Sequence, residues 1–159
     1  MKKFYIIVAV IIILFALNSS NVYPDSINNN WIITPGVGID WIKVGAQAKP
    51  VLDALGNDYD AVVGLGENDG SNVGCKFNEY GIIIYVNKKK KTIWAIDIFK
   101  SGYKKTMYQT SNGIHVGTHR TTLLQKYRPE TDLGECIFFS GMVTEMESDC
   151  IKTIRIIRK

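Results

Sequence analysis

Residues 42–46 of the chain read IKVGA, and residues 114–118 read IHVGT. Each stretch is followed by apolar residues at the spacing of a helix that lies on a core. These residues are Val51, Leu52 and Leu55 after the first stretch and Leu123, Leu124 and Tyr127 after the second. Gly56 is placed to end the first helix, and Pro129 is placed to stop the second. The pattern predicts two short helices, with Pro50 in the first turn of the first and Thr118 as the cap of the second.

Two strand-like stretches recur in the same order. YGIII at residues 80–84 and TIWAI at residues 92–96 return as SGMVT at 140–144 and TIRII at 153–157. Isoleucine and aromatic residues dominate these segments, which is typical of strands. The predicted strands are Val73–Asn78, Ile82–Val86, Thr92–Phe99, Glu135–Phe139, Met142–Met146 and Ile151–Arg158.

A helix with three strands cannot bury its apolar face alone, but two such units can share one core. The sequence therefore predicts an α+β fold. Two tandem units, each a short helix plus a three-stranded antiparallel meander, share one sheet with both helices on one face. Unit 1 covers residues 35–100 and unit 2 covers residues 101–159, together one domain. The link between them contains a candidate further strand at Tyr103–Tyr108.

The first residues are typical of an export signal. Lys2 and Lys3 precede an unbroken apolar run of fourteen residues, Phe4–Leu17. This run is shorter than the roughly 20 residues of a spanning helix and fits the core of a signal peptide. We predict a signal peptide or N-terminal anchor at residues 1–20 and a flexible tether at 21–34. The protein is then periplasmic or secreted, or membrane-anchored if the segment is not cleaved.

Charge and cysteine content exclude several classes. The formal charge is +4, and loss of Lys2 and Lys3 with a signal peptide leaves about +2. That is too weak a charge to argue for nucleic acid as a partner. Cys75, Cys136 and Cys150 make an odd count, so the fold cannot depend on a disulfide framework. Cys75 and Cys136 are expected at matching places in the two units.

Strand alternation assigns faces to the predicted sheet, because a residue and its counterpart should share a face. Matching TIWAI with TIRII places Ile93 and Ala95 under the helices, with the apolar set of the preceding strands. The opposite, open face then carries Trp94, Tyr85, Arg155 and Glu145. Aromatic and arginine side chains are common anchors of protein interfaces. We predict these four as protein-binding residues, unless a loop, the tether or a second molecule merely covers the face.

Catalytic and metal-binding patterns are weak. His115 and His119 stand four residues apart, but Gly117 separates them and no third ligand stands at a useful spacing. The glycines at residues 64–70 lack the helix that a dinucleotide loop needs, and the acidic residues of the Asn57–Asn72 loop lack calcium-loop spacing. Cys75 has no histidine base at a recognisable spacing. We predict no catalytic residue, no metal, no cofactor and no enzymatic activity.

The basic turn Lys88–Lys91 is expected to be a solvated hairpin tip, or else to attract an anionic membrane or wall polymer. The Asn57–Asn72 loop has no counterpart of equal length in unit 2. It is therefore either a binding loop or a plain mobile loop.

The glycine-led IKVGA segment, the apolar pair, Leu55-Gly56 and YGIII before a lysine-rich hairpin resemble a unit of small exported bacterial proteins. These include the β-lactamase-inhibitor-protein-like fold and the small lipoproteins of the outer-membrane assembly machinery. Because the unit occurs twice in this chain, the two-unit, inhibitor-like fold resembles it more than the small lipoproteins do. The resemblance covers residues 36–159 and implies a non-enzymatic protein that binds other proteins through an open sheet face or loops.

Two hypotheses follow. The first is an exported, non-enzymatic binding module that uses the open face to hold another envelope or secreted protein, and that meets the membrane only through its N-terminal segment. The second is a structural component of the cell envelope, held to the membrane or wall by the N-terminal run and the Lys88–Lys91 tip.

Overall fold

A computed structural model describes residues 30–63, 71–100 and 107–159. The predicted signal segment 1–20, tether residues 21–29, residues 64–70 of the long loop and residues 101–106 of the link lie outside the described residues. Over the described residues the protein is mostly β, with 49% strand and two short helices. The prediction of an α+β fold built from helix-plus-three-strand units is therefore wrong.

Two sheets and two helices make up the described structure. The strands are β1 (Asn30–Thr34), β2 (Gly38–Ile39), β3 (Ile42–Lys43), β4 (Asp60–Val63), β5 (Asn72–Phe77), β6 (Ile82–Asn87), β7 (Thr92–Phe99), β8 (Met107–Thr110), β9 (Thr131–Asp132), β10 (Cys136–Phe139), β11 (Met142–Glu147) and β12 (Cys150–Ile157). The helices are α1 (Ala48–Leu55) and α2 (Arg120–Lys126).

The smaller sheet has the order β3-β2-β1-β8, and the larger has the order β4-β5-β6-β7-β12-β11-β10-β9. All neighbours in the larger sheet are antiparallel, whereas β1 and β8 pair in parallel. Each half of the chain thus contributes four strands to the larger sheet, not three. The smaller sheet was not predicted, because two-residue strands are too short to show alternation.

β1 occupies the end of the segment that the sequence assigned to the tether. Trp31 and Ile33 are buried in the core, while Ile32 between them is 42% exposed. This alternation is that of a strand with one covered face. Residues 30–34, the last part of the predicted tether 21–34, therefore form a strand.

Both predicted helices are present. Pro50 lies in the first turn of α1, where a missing backbone N–H breaks no helical hydrogen bond. The N-cap of α2 is His119, whose ring Nδ1 accepts a hydrogen bond from the Thr121 N–H. The predicted cap, Thr118, instead accepts a hydrogen bond at 3.0 Å from the His115 N–H.

One core joins both sheets and both helices. Apolar residues from alternate positions of the larger sheet pack against those of the smaller sheet, α1 and α2. Isoleucine dominates, and ten of its side chains rank among the largest that are fully buried. Each such side chain contributes about 1.5–3 kcal/mol through removal from water. The core covers one face of the larger sheet, and we call the opposite face the open face.

The two halves of the larger sheet make equivalent backbone contacts. The N–H of Gly45 donates to the carbonyl of Ile93 at 2.7 Å, and the N–H of Gly117 donates to the carbonyl of Ile151 at 2.7 Å. The N–H of Ile93 and that of Ile151 each donate at 2.9 Å, to Ala46 and Thr118. These bonds make Ile93 the counterpart of Ile151.

A β-bulge in each half corrects the predicted matching. In the first half Tyr85 pairs with Ala95 but Val86 pairs with Ile93, so Trp94 is the extra residue. The bulge of the second half leaves out Lys152 in the same way. Trp94 therefore corresponds to Lys152, and Arg155 corresponds to Asp97, whereas the sequence matched Trp94 with Arg155.

The bulge also changes which residues face the core. Ile96 belongs to the core cluster and Ala95 does not, the reverse of the predicted assignment. Cys75 pairs with Ile84, and Ile137 pairs with the equivalent Thr144. Cys75 therefore corresponds to Ile137 and not to Cys136, so the predicted match of the two cysteines is wrong by one residue.

Candidate functional site

A buried carboxylate organises the centre of the open face. Asp97 stands in the middle of β7, directly opposite Arg155 on β12, and is only 3% exposed. Arg155 donates from Nε to Oδ1 and from Nη2 to Oδ2, both at 2.7 Å. A two-point contact of this kind fixes the guanidinium plane as well as its position. The pKa of Arg155 is raised, chiefly by these hydrogen bonds to Asp97.

Tyr85 completes the group from β6. Its hydroxyl donates to Oδ2 of Asp97 at 3.1 Å, and the Arg155 guanidinium carbon lies 5.9 Å from its ring centroid. Burial, followed by the negative charge of Asp97, raises the pKa of Tyr85. The phenol therefore stays protonated and remains a donor to the carboxylate. Tyr85 and Arg155 together satisfy a charge that would be costly to bury alone.

Gly74 makes room for the Tyr85 ring. The two residues are paired across β5 and β6. A Cβ atom at position 74 would lie 2.4 Å from Cγ2 of Val62 and 3.1 Å from Cε1 of Tyr85. Only glycine fits without a shift of these side chains, so Gly74 lets the aromatic ring lie against the strand.

Trp94 is presented by the bulge between β6 and β7. Its side chain is 39% exposed, which makes it the one tryptophan among the exposed large hydrophobic residues of the described chain. Bulges commonly re-aim a side chain next to a functional site. Trp94 and Arg155 both line the same hollow at one end of the open face.

This hollow, which we call the basic pocket, has a volume of about 510 Å³. It lies where the β6–β7 hairpin, the end of β12 and the segment after β3 meet. Its lining combines three cationic side chains, one indole, several aliphatic side chains and no acidic residue. The lining residues are Val44, Gly45, Asn87, Lys90, Thr92, Ile93, Trp94, Val143, Arg155, Ile157 and Arg158.

Glu145, the fourth predicted anchor, lies apart from the basic pocket. It is exposed on β11, and its Oε1 lies 3.8 Å from Nζ of Lys152. Lys152 is also 3.2 Å from Glu147, and hydrogen bonding to Glu147 is the main reason that its pKa is raised. The structure thus brings Trp94 and Arg155 together at the pocket and places Tyr85 against Arg155. Glu145 does not line the pocket, but its charge also acts on Arg155.

Sequence reasoning missed Asp97, Gly74 and Arg158, and it named Lys90 only as part of the basic turn Lys88–Lys91. Asp97 carried a usable signal, because a lone carboxylate within the apolar strand Thr92–Phe99 needs a partner. Gly74 and Arg158 carried none, since their roles depend on which strands and turns meet at the open face.

The two histidines and Cys75, considered above as metal-binding or catalytic candidates, make contacts that belong to the fold. The ring Nδ1 of His115 lies 2.8 Å from the Val116 carbonyl oxygen, and His119 caps α2. Cys75 is buried, and burial raises the pKa of its thiol, the opposite of what a nucleophile requires. Among residues 30–63, 71–100 and 107–159, no group of three or more His, Cys, Asp or Glu side chains could hold a metal ion. The glycines at 64–70 lie outside these ranges.

None of the helices within the described ranges is long and apolar enough to cross a membrane. Fold and site together define a mostly-β protein of two sheets whose open face ends in a basic pocket with an exposed tryptophan. No protein-family model, curated protein or solved structure matches the chain. The resemblance to β-lactamase-inhibitor-protein-like and outer-membrane-assembly proteins therefore stays a prediction.

Proposed function

We propose that the protein is a non-enzymatic binding module that holds another protein at the basic-pocket end of its open face. The observation that carries this proposal is the pairing of an exposed Trp94 with an Arg155 that is already held in place. Tryptophan and arginine dominate the binding energy of protein interfaces. A side chain that is fixed before binding loses less conformational entropy on association, so its contacts contribute more to affinity.

The chemistry around the pocket supports a binding role over a catalytic one. Asp97 is sealed beneath Arg155 and Tyr85, so a substrate in the pocket meets cations and apolar groups but no free base. General acid–base catalysis needs a titratable group within hydrogen-bond reach of the reacting atoms. The apolar run Phe4–Leu17 favours an envelope or secreted protein as the partner.

Site-specific cross-linking in the producing cell tests the proposal. A photoreactive amino acid replaces Trp94 in one full-length variant and Leu124 in another, since Leu124 on α2 is similarly exposed at 36%. We expect a discrete cross-linked partner from position 94 and none from position 124. The identified partner is then titrated calorimetrically against the full chain.

Trp94→Ala should weaken that partner's affinity at least about tenfold, the size of a modest interface hot spot. Leu124→Ala should change the affinity by less than about twofold, as expected of a residue outside the interface. Equal cross-linking at both positions, or an unchanged affinity for Trp94→Ala, would refute the proposal.

A further inference from the structure

We propose that the basic pocket binds an acidic peptide segment of the partner, in which carboxylates flank an apolar side chain. This inference rests on the proposed function and names the chemistry of the segment that enters. It follows from the charge of the pocket, the free donors of Arg155, the apolar lining and the contrast with the other half of the sheet.

The pocket lining carries positive charge that Asp97 balances only at Arg155. Arg155 is neutralised by Asp97, but Lys90 and Arg158 make no ion pair within residues 30–63, 71–100 and 107–159. Two cationic groups therefore remain for an incoming anion. Hydrogen bonds between two charged groups are about twice as strong as neutral ones, and a hollow with one sign of charge attracts a ligand of the other sign.

Arg155 still has donors to offer. Its Nε and Nη2 each donate to Asp97, and the guanidinium also hydrogen-bonds the side chain of Tyr85. A guanidinium carries five N–H donors in a fixed plane. Three such contacts leave further N–H donors on Arg155, and the two-point contact with Asp97 holds them in a defined plane.

The rest of the lining suits an apolar side chain. Val44, Val143 and Ile157 contribute aliphatic surface beside the indole of Trp94. The volume of about 510 Å³ falls within the range of about 300–1,000 Å³ that is common for ligand pockets. It can hold one large side chain together with the carboxylates on either side.

A peptide fits this lining better than a saccharide does. Among the lining side chains only Asn87 and Thr92 are neutral and polar, too few to pair with the many hydroxyls of a sugar. A bare phosphate or lipid headgroup would use the cations but would leave the aliphatic lining uncovered.

The equivalent place in the other half of the sheet lacks these features. Lys152 replaces Trp94 there, Asp97 replaces Arg155, and Ile83 replaces Val143. The pocket chemistry is therefore not a by-product of the backbone shape, and Lys152 provides a matched control for a change of surface lysine.

Fluorescence anisotropy with labelled tripeptides tests the inference on the full chain in a nonionic detergent. The probe is acetyl-Asp-Phe-Asp-amide, compared with acetyl-Asn-Phe-Asn-amide and acetyl-Asp-Ser-Asp-amide. We expect saturable binding of the first probe, at least about fivefold weaker binding of the other two, and weakening as salt is raised.

Variants locate the binding. Lys90→Gln and Arg158→Gln, both at exposed positions, should each weaken the first probe about threefold to tenfold, whereas Lys152→Gln should leave its affinity unchanged. Circular dichroism and the thermal midpoint confirm that each variant is folded. Equal binding of the Asn tripeptide, or no effect of Lys90→Gln and Arg158→Gln, would overturn the inference.

Competition distinguishes a lipid or phosphate ligand. Glycerol 3-phosphate should displace the first probe poorly, and displacement as effective as that by unlabelled probe would overturn the inference in favour of an anionic headgroup. A partner that cross-links at position 94 through a segment without carboxylates would also overturn it, while leaving the proposed function intact.

Discussion

In the first half of the larger sheet the bulge carries Trp94, whereas in the second half the equivalent bulge carries Lys152. The backbone around the two positions is the same down to the hydrogen bonds of Gly45 and Gly117. The first bulge borders the basic pocket, and the second forms ion pairs between Lys152 and the exposed Glu145 and Glu147. Exposed pairs of this kind contribute little to stability.

The contrast extends to the strand centres. Tyr85 in the first half corresponds to Glu145 in the second, and Asp97 corresponds to the very residue that it binds, Arg155. The two halves of the larger sheet thus share one backbone arrangement. A buried, paired charge lies where the halves meet, and different side chains lie at the two bulges. The binding chemistry that we propose belongs to one end because side chains, and not the backbone, distinguish the two.

The largest expected effect comes from the central pair. Asp97→Ala leaves Arg155 without its partner beneath the open face, and loss of one member of a buried pair typically destabilises by about 3–5 kcal/mol. Because Arg155 remains one-third exposed, we expect about 3 kcal/mol, measured by urea unfolding. Glu145→Ala is the matched change in the surface pairs and should cost less than about 1 kcal/mol. Equal losses would contradict the distinction between centre and surface.

Gly74 on β5 and its counterpart Cys136 on β10 allow the two halves of the sheet to be compared one strand further out. Gly74→Ala brings a Cβ into Val62 and Tyr85, and overpacking of this kind costs about 1–3 kcal/mol. The equivalent residue of the second half is Cys136, which already carries a side chain, so Cys136→Ala should cost less than about 1 kcal/mol. Urea unfolding of both variants measures the difference. A Gly74→Ala protein as stable as the parent would show that Tyr85 does not need the space.

The hairpin turns should respond alike in both halves. Lys91 and Asp149 have φ angles of 57° and 60°, the left-handed region that glycine adopts most readily. Lys91→Gly and Asp149→Gly relieve this strain but make the unfolded chain more flexible. We expect each to stabilise by about 0.5–1 kcal/mol, seen as a rise in the thermal midpoint. A rise in one variant only would break the equivalence of the two turns.

The smallest expected effect is a difference between the two edge strands of the larger sheet, β4 and β9. Asp132 accepts a hydrogen bond from the Gly134 N–H at 2.9 Å and pairs with Arg120, and these contacts hold its pKa below the usual value. Its contribution is therefore present above the unfolded-state pKa and is lost as pH falls through the lower folded-state pKa.

Asp132→Asn should flatten the acid side of the profile of thermal midpoint against pH. Ala61, its counterpart in the first half, has no charge to titrate, so Ala61→Ser should leave the shape of that profile unchanged. An Asp132→Asn profile that parallels the parent's at low pH would contradict the assignment.

Features that depend on neighbouring residues in the sequence were predicted well, whereas features that depend on pairing between distant segments were not. Thr92–Phe99 was predicted with the bounds of β7, because a run of mostly β-branched and aromatic residues is flanked by turn formers. β1 was missed, since its parallel pairing with β8 joins segments far apart in sequence. A bulge leaves no mark on the alternation, so the match between Trp94 and Arg155 was wrong even though both residues line one pocket.

The centre of the site was beyond the sequence for a related reason. Asp97 and Arg155 face each other only because β7 and β12, the last strands of the two halves, are neighbours. Nothing in either strand alone specifies this pairing. The prediction that Trp94, Tyr85 and Arg155 act together in binding stays a prediction. Trp94 and Arg155 share the pocket lining, whereas the buried Tyr85 contacts Arg155 from beside it.

The pairing of β7 with β12 also determines when the larger sheet can be completed during synthesis. β7 keeps an unpaired side until β12 has left the ribosome, and a bare strand of Thr92–Phe99 is a template for pairing with other chains. Contacts that span so much of the chain form slowly. The larger sheet therefore stays incomplete for as long as β12 is missing.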